Sequence, residues 1–194
     1  MNDTELISQI LDGNMNAFTF LVNRYQKLVV HISGRLIQRQ DELEDVCQEV
    51  FIKVYQNLGK YRNECKLSTW IATIAYNSSV NYLRKFSKFD EVNPDDSIAL
   101  RNLVDFRTEN YETTDLKHYI REQIELLPIQ YRTVVTLFHL EEFSYQEVEQ
   151  ITGMAEGTVK SYLFRAKALL REKLKHIVDE NSLKLVKEIS NEKG

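Results

Sequence analysis

Only two prolines and six glycines punctuate the 194 residues. Alternating Val, Ile and Thr runs bounded by Gly or Asn are missing. Strands need such runs and hairpins need such turn residues. Their scarcity excludes a sandwich or barrel and predicts an all-α chain. Cysteine is scarce too. Cys47 and Cys65 form no CxxC pair, and His31, His118, His139 and His176 share no ligand spacing. Neither a metal site nor a disulfide framework is expected. No apolar run is long enough to span a bilayer, and no signal peptide stands at the N-terminus. The expectation is a cytoplasmic protein with reduced thiols and no membrane insertion. A P-loop, a glycine-rich phosphate cradle and a nucleophile elbow are all missing. The sequence therefore predicts neither an enzyme nor a cofactor.

What the chain does have is an uneven charge. The formal net charge is −4, which excludes a protein that simply coats nucleic acid. Yet Lys60, Arg62, Lys66, Arg84, Lys85 and Lys88 stand within one stretch against Glu64 alone. A second stretch holds Lys160, Arg165, Lys167, Arg171, Lys173 and Lys175 against Glu156 and Glu172. Two basic islands in an acidic chain point to two separate contacts with a polyanion.

Hydrophobic residues make up 43% of the chain, enough for a core. Helical spacing dominates their placement. Thr4 is positioned to cap a first helix carrying Leu6, Ile7, Ile10 and Leu11. Asn16 is positioned to cap a second, with Phe18, Leu21, Tyr25, Leu28, Val29 and Ile32 inside. Leu43, Val46, Cys47, Val50, Phe51, Val54, Tyr55 and Leu58 form the most regular stripe, ended by Gly59. Ser68 is positioned to cap a fourth helix with Trp70, Ile71, Ile74, Ala75 and Leu83. From Phe89 the periodicity fades among Asp90, Glu91, Pro94, Asp95 and Asp96, the composition of a flexible acidic linker. Helical spacing resumes near Thr114. The expected organisation is two small helical domains, residues 1–88 and 113–177, a linker over 89–112 and a tail over 178–194.

Within the second domain, Ser144-Tyr-Gln-Glu147 is a capping-box pattern and Gly153 supplies a turn. A further helix starts near Glu156, with Val159, Leu163, Ala166 and Leu170 as its buried stripe. Ser144–Lys167 thus fits a helix-turn-helix. Lys160, Ser161, Phe164 and Arg165 turn away from the stripe. Arg and Lys can donate to guanine, Ser can serve base or phosphate, and Phe can pack on a thymine methyl. Lys167, Arg171 and Lys173 lie further along, towards phosphate.

The same residues carry a resemblance. Phe143–Ile151 and Glu156–Lys167 resemble the C-terminal promoter-reading domain of extracytoplasmic-function (group IV) sigma factors of the sigma-70 family. Leu126–Val135 is similar to that domain's preceding helices. Asp41–Tyr55 is similar to the family's polymerase-binding helix, and Leu67–Arg84 to its promoter-melting helix. The resemblance implies a sigma factor that binds core RNA polymerase and directs transcription initiation. Asp45, Gln48, Glu49 and Lys53 would dock on a coiled coil of the largest polymerase subunit. The loop Arg62–Leu67, with Asn63 and Lys66, would accept a base flipped from the minus-10 element. Asn77, Asn81, Arg84 and Lys85 would hold the melted strand. Thr158, Lys160, Ser161, Phe164, Arg165 and Lys167 would read the minus-35 duplex. An inhibitory anti-sigma factor is a further implied partner. Three positions depart from the family pattern. Tyr162 stands where Arg is common, Glu149 where a small residue packs, and Leu67 where an aromatic is frequent. The competing expectation is a stand-alone two-domain helix-turn-helix regulator, whose first domain senses a ligand or dimerises. The basic island beside an acidic helix speaks against it, as does the lack of a visible ligand pocket.

Overall fold

A computed structural model describes residues 2–85 and 116–191, with side chains described over 2–85 and 119–174. The linker expected over 89–112 lies outside the described residues, as do the expected domain limits at 88 and 113. Every regular element among the described residues is helical. The first unit holds α1 (Asp3–Leu11), α2 (Met15–Gly34), α3 (Gln40–Asn57) and α4 (Leu67–Lys85), with a 3-10 turn at Leu58–Lys60. The second holds α5 (Leu116–Glu125), α6 (Ile129–Val135), α7 (Tyr145–Thr152) and α8 (Glu156–Asn191). A widened π-helical turn, Thr136–Leu140, runs on from α6. The helix of α8 continues well past the expected end of its domain.

The caps show why these helices start where they do. Asn2, not Thr4, caps α1, because only Asn2 lies three residues before Glu5 and so closes a reciprocal capping box with it. Asn14, not Asn16, caps α2, its side chain accepting from the backbone N–H groups of Asn16 and Ala17. Ser68 lies inside the first turn of α4 rather than ahead of it. Pro128 precedes α6 as its N-cap, where its missing N–H costs nothing.

The predicted stripes are buried. Leu6, Leu21, Val29, Val46, Val50, Val54, Leu58, Ile71 and Ala75 form the core of the first unit. Tyr131, Val134, Leu137, Val148, Ile151, Val159, Leu163 and Ala166 form that of the second. Two stripe members break rank. Leu11 is 56% exposed at the last position of α1, and Tyr55 is 42% exposed, its ring edge-on to Phe18 at 4.9 Å between centroids. Arg132 is 5% exposed. Its Nη1 donates to the Glu125 carbonyl at 2.6 Å and faces the Glu125 carboxylate at 3.5 Å.

The two units pack on one another. α4 lies against α7, and α2 lies against the π-helical turn. Three polar bridges accompany the contact. Lys66 Nζ meets the Glu147 carboxylate at 3.0 Å, and Thr69 Oγ1 donates to the same carboxylate at 3.2 Å. His31 Nδ1 lies 2.7 Å from Glu141. Arg35 pairs with Glu125. Burial, then the neighbouring Arg132 and Arg121 guanidinium groups, lower the pKa of Arg35 from its ordinary value.

Ile71 is fully buried where α4 crosses the first core. Ile71→Ala leaves a void there and should cost about 2–5 kcal/mol. Urea unfolding followed by circular dichroism checks this; a midpoint equal to the parent's would place Ile71 outside the core.

Candidate nucleic-acid interface

The helix-turn-helix is built from three local devices. Ser144 caps α7: the Glu147 N–H donates to its hydroxyl at 3.3 Å, while the Ser144 N–H and hydroxyl both donate to the Glu147 carboxylate at 2.9 Å. Gly153 ends α7 in the left-handed region, φ 73°, with its N–H donating to the Glu149 carbonyl at 2.8 Å. α8 then starts at Glu156. Val159, Leu163 and Ala166 press inward and are buried.

That burial fixes the opposite face. At about 100° per residue, Ser161 and Phe164 lie within about 40° of the direction opposite Val159, and Lys160 and Arg165 flank them. Phe164 is 76% exposed, the most exposed of the large hydrophobic side chains described. Lys160 and Arg165 are exposed and Ser161 is half-buried. Lys160 pairs with Glu156 one turn earlier, and its ammonium lies 5.1 Å from the centre of the Tyr145 ring. Thr158 and Lys167 stand on the two shoulders of this face, half-buried and exposed. Glu149 faces solvent, so it does not set the angle between α7 and α8. Tyr162 packs on Tyr131, ring centroids 5.3 Å apart. The Tyr162 ring braces α8 from behind.

The first basic island is a shaped loop followed by a strip of helix. Tyr61 donates its hydroxyl to the Cys65 carbonyl at 2.6 Å, and its ring lies 5.4 Å from Trp70. Asn63 turns the loop in the left-handed region, φ 57°, which asparagine tolerates better than most residues. Arg62, Asn63 and Lys66 are exposed, whereas Leu67 is buried as the loop's anchor. Asn77, Asn81, Arg84 and Lys85 are exposed along α4. Asn81 lies about 22 Å beyond Lys66 along the axis. The structure thus places the loop just ahead of α4 and the strip further along that helix, both on the first unit's polar surface. The main contacts between the units run through α7 and the π-helical turn, not through α8's outward face.

On α3, Asp45, Gln48 and Glu49 are exposed on the side away from the core. Lys53 differs. Its Nζ meets Glu49 at 2.6 Å and donates to the Ser78 hydroxyl at 3.1 Å, tying α3 to α4. Ile52, exposed beside these polar groups, carries no sequence signal of a surface role, since its stripe position lies off the core pattern.

Comparison with known proteins decides what this surface belongs to. The family model for Sigma-70 region 2 matches residues 21–89, and that for Sigma-70, region 4 matches residues 117–170. The ECF RNA polymerase sigma-E factor of Haemophilus influenzae is 32% identical over 187 residues, covering 92% of this chain and 98% of its own. That of Escherichia coli is 31% identical over 186 residues, with 92% and 97% covered. The chain belongs to the ECF sigma factors. It is a sigma factor, a transcription-initiation subunit and not an enzyme. The RNA polymerase sigma-H factor of Pseudomonas aeruginosa is 29% identical over 190 residues, with 92% of this chain and 96% of that protein covered. Solved structures agree at the level of fold. CnrH, solved with the cytosolic domain of CnrY, has a TM-score of 0.62 at 19% identity, covering 90% of this chain and 97% of that one. The sigma factor RpoE of Bartonella quintana, solved with the anti-sigma factor NepR, has a TM-score of 0.61 at 23% identity, covering 81% and 96%. Among the described residues, no helix is long and apolar enough to cross a membrane, and no cluster of potential metal ligands occurs.

Sequence reading missed three residues that shape the sigma factor's surface. Tyr61 carries no sequence signal beyond being aromatic, yet its hydroxyl closes the loop. Thr69 looks like any helix residue, yet it is fully buried between the units. Glu147 shows in the sequence as half of a capping box and no more. Burial raises its carboxyl, but the Ser144 backbone N–H, the Lys66 ammonium and the Ser144 hydroxyl outweigh it and draw the pKa down to about 2 from an ordinary 4.5. A pKa depressed on folding stabilises the native state at pH values above the unfolded one. Glu147's contribution should therefore be complete above about pH 4.5 and lost as pH falls towards 2. An NMR titration of the Glu147 side-chain carbon should follow the low value; a midpoint near 4.5 would mean these bonds do not hold in solution.

Proposed function

We propose that this sigma factor reads its promoter at two separated surfaces, in the cytoplasm, while docked on core RNA polymerase. Residues 1–88 form the unit that docks and melts, 89–112 the tether, 113–177 the unit that reads the minus-35 element, and 178–194 a tail. Lys160, Ser161, Phe164 and Arg165 read base edges in the major groove, and Thr158 and Lys167 contact the backbone beside them. Arg62, Asn63 and Lys66 shape the place where a minus-10 base is received. Asn77, Asn81, Arg84 and Lys85 hold the backbone of the opened strand. Asp45, Gln48 and Glu49 meet a coiled coil of the polymerase's largest subunit, and Lys53 stiffens α3 behind them.

One observation carries the reading. Phe164 stands in water on the centre of a face that has Lys160 and Arg165 on either side, and that face belongs to the second helix of a capped helix-turn-helix. A large ring left exposed beside two cations fits a groove better than it fits solvent. The overall acidity fits too, because polymerase supplies much of the grip on DNA. Solved neighbours held by CnrY and by NepR motivate a further partner, an anti-sigma factor.

Reconstituted transcription tests the reading directly. Start sites mapped after induced expression supply the promoter fragments. Core polymerase with this protein should initiate at them, and core polymerase without it should not. A chain that binds duplex DNA alone as a dimer and never joins polymerase would overturn the reading. Arg165→Ala should cost about 1–3 kcal/mol of discrimination among minus-35 variants if Arg165 meets a base edge. Equal selectivity across those variants would remove that role. Reversing Asp45 and Glu49 to lysine should weaken polymerase capture in a pull-down while circular dichroism stays unchanged. Normal capture would take α3 out of the docking surface.

A further inference from the structure

Lys160 is held from two directions before any duplex arrives. Glu156, one turn earlier on α8, pairs with its ammonium along the helix. The Tyr145 ring, on α7, lies 5.1 Å from the same ammonium and attracts it through its π face. The two holders stand on different helices, so together they fix a point and not merely a direction. The hydrogen bond to Glu156, with the Glu156 charge, raises the Lys160 pKa from its ordinary value, and the cation is kept. An ammonium carries three N–H donors. Glu156 takes one, and the ring attracts the charge as a whole, so donors remain for guanine O6 and N7.

Tyr145 is itself braced. It is the first residue of α7, directly after the Ser144 cap, and it is half-buried. Its ring stacks on Phe138, with centroids 4.5 Å apart and planes 28° apart. The Phe138 ring in turn meets His139 edge-on at 4.9 Å. Phe138 and His139 both lie in the π-helical turn Thr136–Leu140. A widened turn of this kind is rare and is found frequently at functional sites. Here it sets Phe138 against Tyr145. Phe138, Tyr145 and Lys160 therefore form one line of contact, from the π-helical turn through α7 to the outward face of α8.

We propose that Tyr145 is a positioning residue for promoter reading: its ring, backed by Phe138, holds Lys160 over one base pair of the minus-35 duplex and away from the neighbouring phosphates. The chemistry that Lys160 then meets is a base edge with two acceptors, as guanine presents in the major groove. Without the ring, the flexible four-carbon stem lets the ammonium swing to the backbone, which carries no sequence information. The role rests on the base-reading assignment of Lys160. What it adds is the source of that lysine's selectivity, which lies on α7 and the π-helical turn and not on the reading helix alone.

The full chain bound to core polymerase is tested in competition between promoter duplexes that carry each single change of the minus-35 element. Lys160→Ala marks the base pair that Lys160 reads. Tyr145→Leu should lower preference at that pair by about two- to fivefold, the size of an exposed cation–π contact. It should also steepen the salt dependence of binding by up to about one in slope, as the freed lysine finds a phosphate. Tyr145→Phe keeps the ring without its hydroxyl and should match the parent. Phe138→Leu should act in the same direction as Tyr145→Leu. In a Lys160→Ala background, neither Leu variant should change any preference. Preference at the other pairs should hold throughout, whereas a tilted helix would shift every pair together. If Tyr145→Leu unfolds the unit, seen as lost helical circular dichroism, Phe138→Leu decides on the same terms. An unchanged preference at the Lys160 pair, or an equal loss in the Lys160→Ala background, overturns the positioning role and leaves the base reading by Lys160 standing. A Tyr145→Phe variant as weak as Tyr145→Leu overturns it in favour of a hydroxyl contact. If Lys160→Ala itself alters no preference, the base-reading assignment fails and the positioning role falls with it.

Discussion

A helix hides one stripe and must show the rest, and in a chain made only of helices that constraint allocates every functional group. Val159, Leu163 and Ala166 go inward on α8, so Phe164 and its polar flanks have nowhere to go but out. Val46, Val50 and Val54 go inward on α3, which leaves Asp45, Gln48 and Glu49 outside. Ile71, Ala75 and Leu83 do the same for α4 and leave Asn77, Asn81 and Arg84. Core and working surface are therefore two readings of one pattern. A substitution in the stripe changes which residues a partner meets.

That economy explains how much was legible from the residues. Stripes repeat every turn, so one missing member is outweighed by its neighbours, and Val46 through Leu58 is enough to show α3. The capping box at Ser144 and Glu147 was equally plain, because both halves lie within four residues. Caps with rival candidates were harder. Thr4 and Asn2 are both good capping residues, and the choice turns on Glu5 reaching back exactly one turn, a geometric demand that composition does not reveal. Leu11 and Tyr55 fit their stripes and still stand exposed, since a stripe says nothing of how far neighbouring helices cover it.

The contact between the units was invisible for a different reason. His31 and Glu141 are 110 residues apart, and Thr69 and Glu147 are 78 apart. Neither pair has any local signature. Lys66 and Glu147 each had an adequate local explanation, one as a cation in a basic island and the other as a helix cap. The structure adds a second partner to both. Residues that satisfy one rule well are poor places to expect another, which is why the sequence pointed at the two ends of this contact without joining them.

Tyr162 gives α8 a mechanical character of its own. Its ring packs on that of Tyr131, so α8 is held from behind by its own unit. A helix braced from behind cannot swivel to suit whatever groove it meets. It arrives with its contacts already spaced and loses less side-chain freedom when it docks. For any partner on that face, fit is decided before contact and not during it.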